Sequence, residues 1–190
     1  PYSAAGSAFL KLIVSRDGLH WHKVPFTNDA GQPEVFIPNG PEGANHAQND
    51  GGYITLFSQG PLKIGNQLIF YYGSSSYGKN HSPGIRLSGG GIFRARLRPD
   101  GFVSVDHGTL TTKPLIFEAD DLFINSVGPL RVELLDRKKN ILASSVIDGD
   151  SLDHRVSFDG KSLRQIIGQQ PVQLRFSIAD NGHLYSFSCR

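Results

Sequence analysis

Apolar residues along this chain come in runs of four to seven, set apart by glycine and proline. Two of these runs, Phe9-Leu10-Lys11-Leu12-Ile13-Val14 and Gly91-Ile92-Phe93-Arg94-Ala95-Arg96-Leu97, alternate apolar with polar, the period of a half-buried strand. Tyr53-Ile54-Thr55-Leu56-Phe57 and Gln67-Leu68-Ile69-Phe70-Tyr71-Tyr72 are rich in β-branched and aromatic residues and predict further strands. No segment spaces apolar residues by three and four over three turns, so a long amphipathic helix is excluded. Ser162 to Ile167 can form one helical turn at most. The pattern predicts an all-β protein.

Turn chemistry agrees. Asp17-Gly18, Pro99-Asp100-Gly101 and Asp159-Gly160 fall between strand-like runs, where both residues of Asp-Gly tolerate positive φ. Asn39-Gly40-Pro41-Glu42-Gly43 and Gly73-Ser74-Ser75-Ser76-Tyr77-Gly78 read as long loops. Ser88-Gly89-Gly90-Gly91 has the glycines of a phosphate loop but feeds a strand instead of a helix, which removes that reading.

The texture changes between about residues 100 and 108, which predicts two domains, residues 1–107 and 108–190. Upstream, loops are long and Gly, Tyr, His and Asn are frequent. Downstream, short strands follow at regular spacing: Arg131 to Leu135, Val156 to Phe158, Val172 to Ile178 and Leu184 to Phe187. Val172, Leu174, Phe176 and Ile178 share one face while Gln173, Arg175 and Ser177 share the other. Such strands predict an antiparallel β-sandwich.

Composition narrows the function. Nineteen basic against seventeen acidic residues, unclustered, exclude a nucleic-acid footprint. A membrane-spanning helix needs about 20 apolar residues in a row, and none exists. Cys189 is alone, so neither an internal disulfide nor a cysteine-rich metal site can form. This composition fits a cytosolic protein and an exported bacterial one equally. The start at Pro1 and the lack of Met point to a processed N-terminus.

Several motifs, in order, resemble one family arrangement. Ser15-Arg16-Asp17-Gly18-Leu19-His20-Trp21 looks like a Ser-x-Asp-Gly-x-x-Trp propeller hairpin. Gly65 to Gly73 followed by His81 is similar to a blade strand ending in Tyr-Tyr-Gly. Ile92 to Ser104 resembles the segment that closes a propeller, and Gly108-Thr109-Leu110-Thr111-Thr112-Lys113-Pro114-Leu115-Ile116-Phe117 the lead-in to a sandwich. Together they resemble the C-terminal part of proteins related to glycoside hydrolase families 32 and 43, a five-bladed β-propeller followed by a β-sandwich. The resemblance implies about two propeller blades in residues 1–107 and a C-terminal sandwich. It also implies an oligo- or polysaccharide partner and a secreted or periplasmic setting. A blade takes about 40–50 residues, so five do not fit. The chain is then a C-terminal piece, completed by missing N-terminal blades or another chain, or a shortened relative. The first blade, which supplies a catalytic carboxylate in the family, has no counterpart, so the catalytic residues are unassigned and catalysis is expected to be incomplete.

Candidate substrate-binding residues are His81, Asp50, Tyr72 and His46. Asp50 and His46 share the polar loop Asn45 to Tyr53, though Asp50-Gly51 equally fits a turn. His81 follows the Tyr71-Tyr72-Gly73 strand where the resembling proteins place a pocket-facing histidine; alone it is an ordinary loop histidine. An imidazole bonds sugar hydroxyls while an aromatic ring stacks on the sugar's apolar face, but Trp21 or one of Tyr71 and Tyr72 also suits the core. Glu42 reads as a solvated loop charge. Asp17 and Asp100 read as turn residues. His20 and His22 lack a nearby carboxylate, and Asp148-Gly149-Asp150 lacks the ligands of a calcium loop, so no metal is expected. No cofactor is expected. Ser74, Ser75 and Ser76 lack a nucleophile elbow. A non-catalytic carbohydrate-binding or structural module is the alternative function.

Overall fold

A computed structural model describes residues 6–24, 35–43, 49–86 and 89–190. The protein is all-β, with antiparallel sheets and two helices of four and five residues among the described residues. It divides into two compact units, Pro1–Leu97 and Arg98–Arg190.

In the first unit, β1 (Ile13–Val14) and β2 (His22–Lys23) form a hairpin around the Asp17-Gly18 turn. The expected strand over residues 9–14 is mostly not regular: Leu10 bridges Ile37, Ala8 bridges Tyr53, and only Ile13 and Val14 enter a sheet. The main sheet is built on β5 (Gln67–Ser75). One edge of β5 pairs with β3 (Tyr53–Phe57) and β4 (Leu62–Ile64), the other with β6 (Gly91–Leu97). Ile69, Phe70 and Tyr72 are buried along β5. The short helix α1 (Pro83–Arg86) lies between β5 and β6.

The second unit contains two sheets. One has the order β10 (Ile141–Ile147), β9 (Leu130–Leu135), β12 (Gln173–Ile178), β7 (Gly108–Thr111). The other has the order β11 (Ser151–Arg155), β8 (Leu122–Val127), β13 (His183–Cys189). Ile124 from β8, Val132 and Leu134 from β9, Leu174 and Phe176 from β12, and Leu184 from β13 belong to one hydrophobic core. The alternation in β12 is as expected: Leu174, Phe176 and Ile178 are buried and the residues between them half-buried. Full burial of such a side chain contributes about 1.5–3 kcal/mol. Gly128 (φ 71°) and Pro129 carry the chain from β8 in one sheet to β9 in the other. A β-carbon on Gly128 would lie 2.6 Å from the Asn181 carbonyl oxygen, so the crossing leaves no room for one. Helix α2 (Leu163–Ile167) is the single turn the sequence allows, with Ser162 and Gln165 forming a reciprocal capping box.

The stretch 98–107, which the sequence assigns ahead of the domain boundary, lies in the second unit. Arg98 holds it there. Its guanidinium donates to Asn125 Oδ1 (2.7 Å), Asp150 Oδ1 (2.5 Å), the Ser151 carbonyl (2.7 Å) and the Ser126 carbonyl (3.3 Å), and lies over the Tyr185 ring. Asn125 returns a bond to the Pro99 carbonyl, Ser186 donates to Asp100, and Val105 bridges Leu184.

Candidate functional site

The loops at the end of β5 gather the polar residues of the first unit. Two serines fasten residues 49 and 50 to the end of that strand, and a third ties the strand to the following turn. Ser74 Oγ donates to the Asp50 carbonyl, Ser76 Oγ exchanges bonds with the Asn49 backbone, and Ser75 Oγ donates to the Tyr77 carbonyl. Their hydroxyls serve this closure. Gly51 and Gly52 allow it sterically. A β-carbon on Gly51 would sit 1.9 Å from the Pro41 carbonyl oxygen, and one on Gly52 would sit 2.1 Å from the Tyr77 carbonyl carbon. Asn39 Nδ2 reaches the carbonyls of Ala8, Asp50 and Gly52 from the other side. Asn49 Nδ2 is buried without a hydrogen-bond partner.

Asp50 occupies the inner part of this cluster. Its Oδ2 accepts the Tyr72 hydroxyl at 2.5 Å and its Oδ1 the Gly40 amide at 3.2 Å. Tyr72 is 7% exposed and stacks on Phe93 at 5.6 Å. Burial, then the hydrogen bond to Asp50 and its negative charge, push the phenol well above its ordinary value. Tyr72 is therefore a fixed donor, and both Asp50 oxygens are engaged.

His81 sits in an outer part. Its Nε2 lies 3.1 Å from Glu42 Oε1, which also accepts the Gly78 amide at 2.7 Å. The imidazole meets the Tyr77 ring edge-on at 5.4 Å, and the Tyr77 hydroxyl donates to the Gly43 carbonyl. Glu42 and His81 side chains are each one-third exposed. A carboxylate only accepts, so Nε2 carries the proton of this contact, and Nδ1 has no partner among the described residues. Glu42 Oε2 is a second acceptor without a partner among the described residues.

The structure thus brings Asp50 and Tyr72 together and joins His81 to Glu42; His46 lies outside the described residues. Glu42, read from the sequence as a solvated charge, pairs with both His81 and a backbone amide. The one local signal for it is its place between Pro41 and Gly43, which fixes the loop around it. Asp17 and Asp100 are turn residues, Asp100 at φ 59°. Asp17 accepts the amides of Leu19 and His20 and the His20 ring nitrogen, and the His20 bonds foremost hold its carboxyl below the usual range. His20, which the sequence reading left without a nearby carboxylate, is thereby committed to Asp17, whose Oδ2 lies 2.6 Å from its Nδ1, and Trp21 Nε1 donates to the Gly18 carbonyl. Among the described residues, no group of three His, Cys, Asp or Glu side chains could hold a metal ion. No helix is long and apolar enough to cross a membrane among them either. No protein-family model matches the chain, and no curated protein sequence matches it.

Proposed function

We propose that this chain is the C-terminal region of a carbohydrate-active, glycoside-hydrolase-like protein, and that its own contribution is sugar binding. The outer cluster of Glu42, His81 and Tyr77 meets sugar hydroxyls. Asp50 and Tyr72 form the frame behind it. The three-strand-wide meander on β5 belongs to the terminal propeller blades, about two in all, completed in the whole protein by further blades or another chain, and the two sheets of residues 98–190 are a supporting β-sandwich.

The observation that carries this reading is the Glu42–His81 pair. It is one-third exposed, fixed by the Gly78 amide, and leaves Nδ1 and Oε2 unpartnered among the described residues. Polyhydroxylated ligands supply donors to such a pair. Hydrolysis needs a carboxyl acid and a second carboxylate facing the scissile bond. Asp50 is a poor fit to either role, because the Tyr72 hydroxyl and the Gly40 amide occupy its two oxygens.

Calorimetric titration of the chain against an oligosaccharide panel, with hydrolysis followed in parallel, tests this. Binding without turnover, weakened about tenfold in His81→Ala, is expected. Absence of affinity for every sugar, or turnover abolished by Asp50→Asn, would overturn it.

A further inference from the structure

The second unit contains a cleft that the sugar-binding reading does not use. It has a volume of about 410 Å³ and is lined by Asp120, Asp121, Arg155, Ser157, Lys161 and Gln165, among others. That size falls in the usual range for small-molecule sites, about 300–1,000 Å³.

Its walls are pinned from several directions. Helix α2 is tied to the loop before β8 by the Leu163 amide, which donates to the Asp120 carbonyl at 2.7 Å. Arg155 Nη2 donates to Asp121 Oδ1 at 2.9 Å, and the Val156 amide donates to the Leu122 carbonyl. The turn before α2 holds Asp159 and Gly160 both at positive φ, closed by the bridge between Phe158 and Lys161. The backbone of the cleft is fixed this way, so ordering on occupancy falls to its side chains.

The polar groups sort into two kinds. Gln165 gives Oε1 to the Ser162 amide, which leaves its amide NH₂ uncommitted. Ser157 and Lys161 have no side-chain partner among the described residues. These are donors. Asp120 and Asp121 present acceptor oxygens, with Arg155 committed to Asp121 and Arg164 lying 3.6 Å from Asp120. Donors and acceptors lining one cleft suit a polyol. Each carboxylate already has a guanidinium counter-ion, so the Lys161 ammonium is the surplus charge. No aromatic ring lines the cleft, which removes a stacking platform for an aryl ligand.

We propose that this cleft binds a small polyhydroxylated carboxylate, a sugar acid of the uronate type, with Lys161 on its carboxylate and Gln165, Asp120 and Asp121 on its hydroxyls. It is independent of the Glu42–His81 cluster and stands or falls without it.

Backbone amide NMR of the full chain titrated with D-glucuronate, D-glucose and acetate tests the assignment. Glucuronate is expected to shift the amides of residues 155–165. Glucose should bind them about tenfold more weakly, and Lys161→Gln should abolish the preference, while His81→Ala leaves it intact. Lys161 contributes only its backbone to the turn, so the variant keeps the fold. Acetate binding as tightly as glucuronate would reduce the cleft to a simple anion site and overturn the proposal. So would unshifted amides in residues 155–165, or a glucuronate response unchanged in Lys161→Gln.

Discussion

Tyr72 donates its hydroxyl hydrogen to Asp50 across twenty-two positions of sequence, at 2.5 Å, from a ring clamped against Phe93. One bond thereby joins the middle strand of the first unit's sheet to the loop that holds the candidate site.

Removing that hydroxyl leaves Asp50 Oδ2 without its donor. Tyr72→Phe is expected to destabilise the first unit by about 1–2 kcal/mol, the cost of an unpaired, half-buried acceptor. The ring and its stacking on Phe93 are retained, so the change isolates the bond. Hydrogen-exchange protection of the β5 amides measures it.

The same bond sets an alkaline limit. The phenol titrates above its ordinary value in the folded unit, so the stability it contributes is complete below about pH 10 and is lost as pH rises further. Urea unfolding of the wild-type unit should weaken above that pH more steeply than that of Tyr72→Phe. Equal slopes would place the alkaline sensitivity on other groups.

Gly52 provides a steric test of the site. Its missing β-carbon would lie against the Tyr77 carbonyl carbon, oxygen and amide nitrogen at 2.1, 2.2 and 2.5 Å, all backbone atoms that have no rotamer to change. Gly52→Ala therefore displaces the Tyr77 segment, at a cost of about 1–3 kcal/mol, and shifts the ring that meets His81. Reduced stability together with lost sugar affinity in calorimetry is the expected pair of results.

Much of this architecture was legible because strand side chains repeat every two residues. The buried set Leu174, Phe176 and Ile178 can be read directly from the sequence, as can the limit of one helical turn over Ser162 to Ile167. What escaped is long-range. Glu42 and His81 are thirty-nine positions apart, and a charged loop residue shows no sign of a partner that folding brings to it. Residues 98–107 read from the sequence as the end of the first domain, and their membership in the second unit depends on where Arg98 finds acceptors, up to fifty-three positions away. The run from Phe9 to Val14 has the strand pattern, yet Leu10 meets Ile37 in an isolated bridge and only Ile13 and Val14 pair as strand residues. Alternation records a preference for a pleated surface, not the presence of a neighbour to pair with.

Arg98 makes a sharper test of the unit boundary. Its planar fork satisfies a side-chain amide, a carboxylate and two carbonyls at once, which an ammonium on a single stem cannot do. Arg98→Lys is expected to keep the charge and still cost the second unit about 2–4 kcal/mol, because Asn125 Oδ1 is left unpaired in a residue only 3% exposed. Exchange protection in β8 and β13 should fall while that in β5 is unchanged.

The last prediction concerns acid. Glu133 on β9 is 6% exposed, and Arg175 on the neighbouring β12 donates Nε to its Oε2 at 2.5 Å. The Arg175 hydrogen bond, assisted by the charges of Arg175 and Arg131, holds the carboxyl below its ordinary value against burial, which pushes it up. Because the folded value lies below the unfolded one, the ionised pair stabilises fully above about pH 4.5 and loses that contribution as pH falls through the folded value. Glu133→Gln deletes the titration without deleting the side chain's volume. Urea midpoints of the second unit, measured from about pH 7 down to about pH 3, should therefore decline more gently in the variant than in the wild type. Asp106 and Asp136 also titrate low, Asp106 chiefly through Ser104 and Asp136 chiefly through Asn140, and both remain in the variant. They set the residual slope, so the difference between the two curves belongs to the Glu133–Arg175 pair, and coincident curves would show that the pair does not govern acid unfolding.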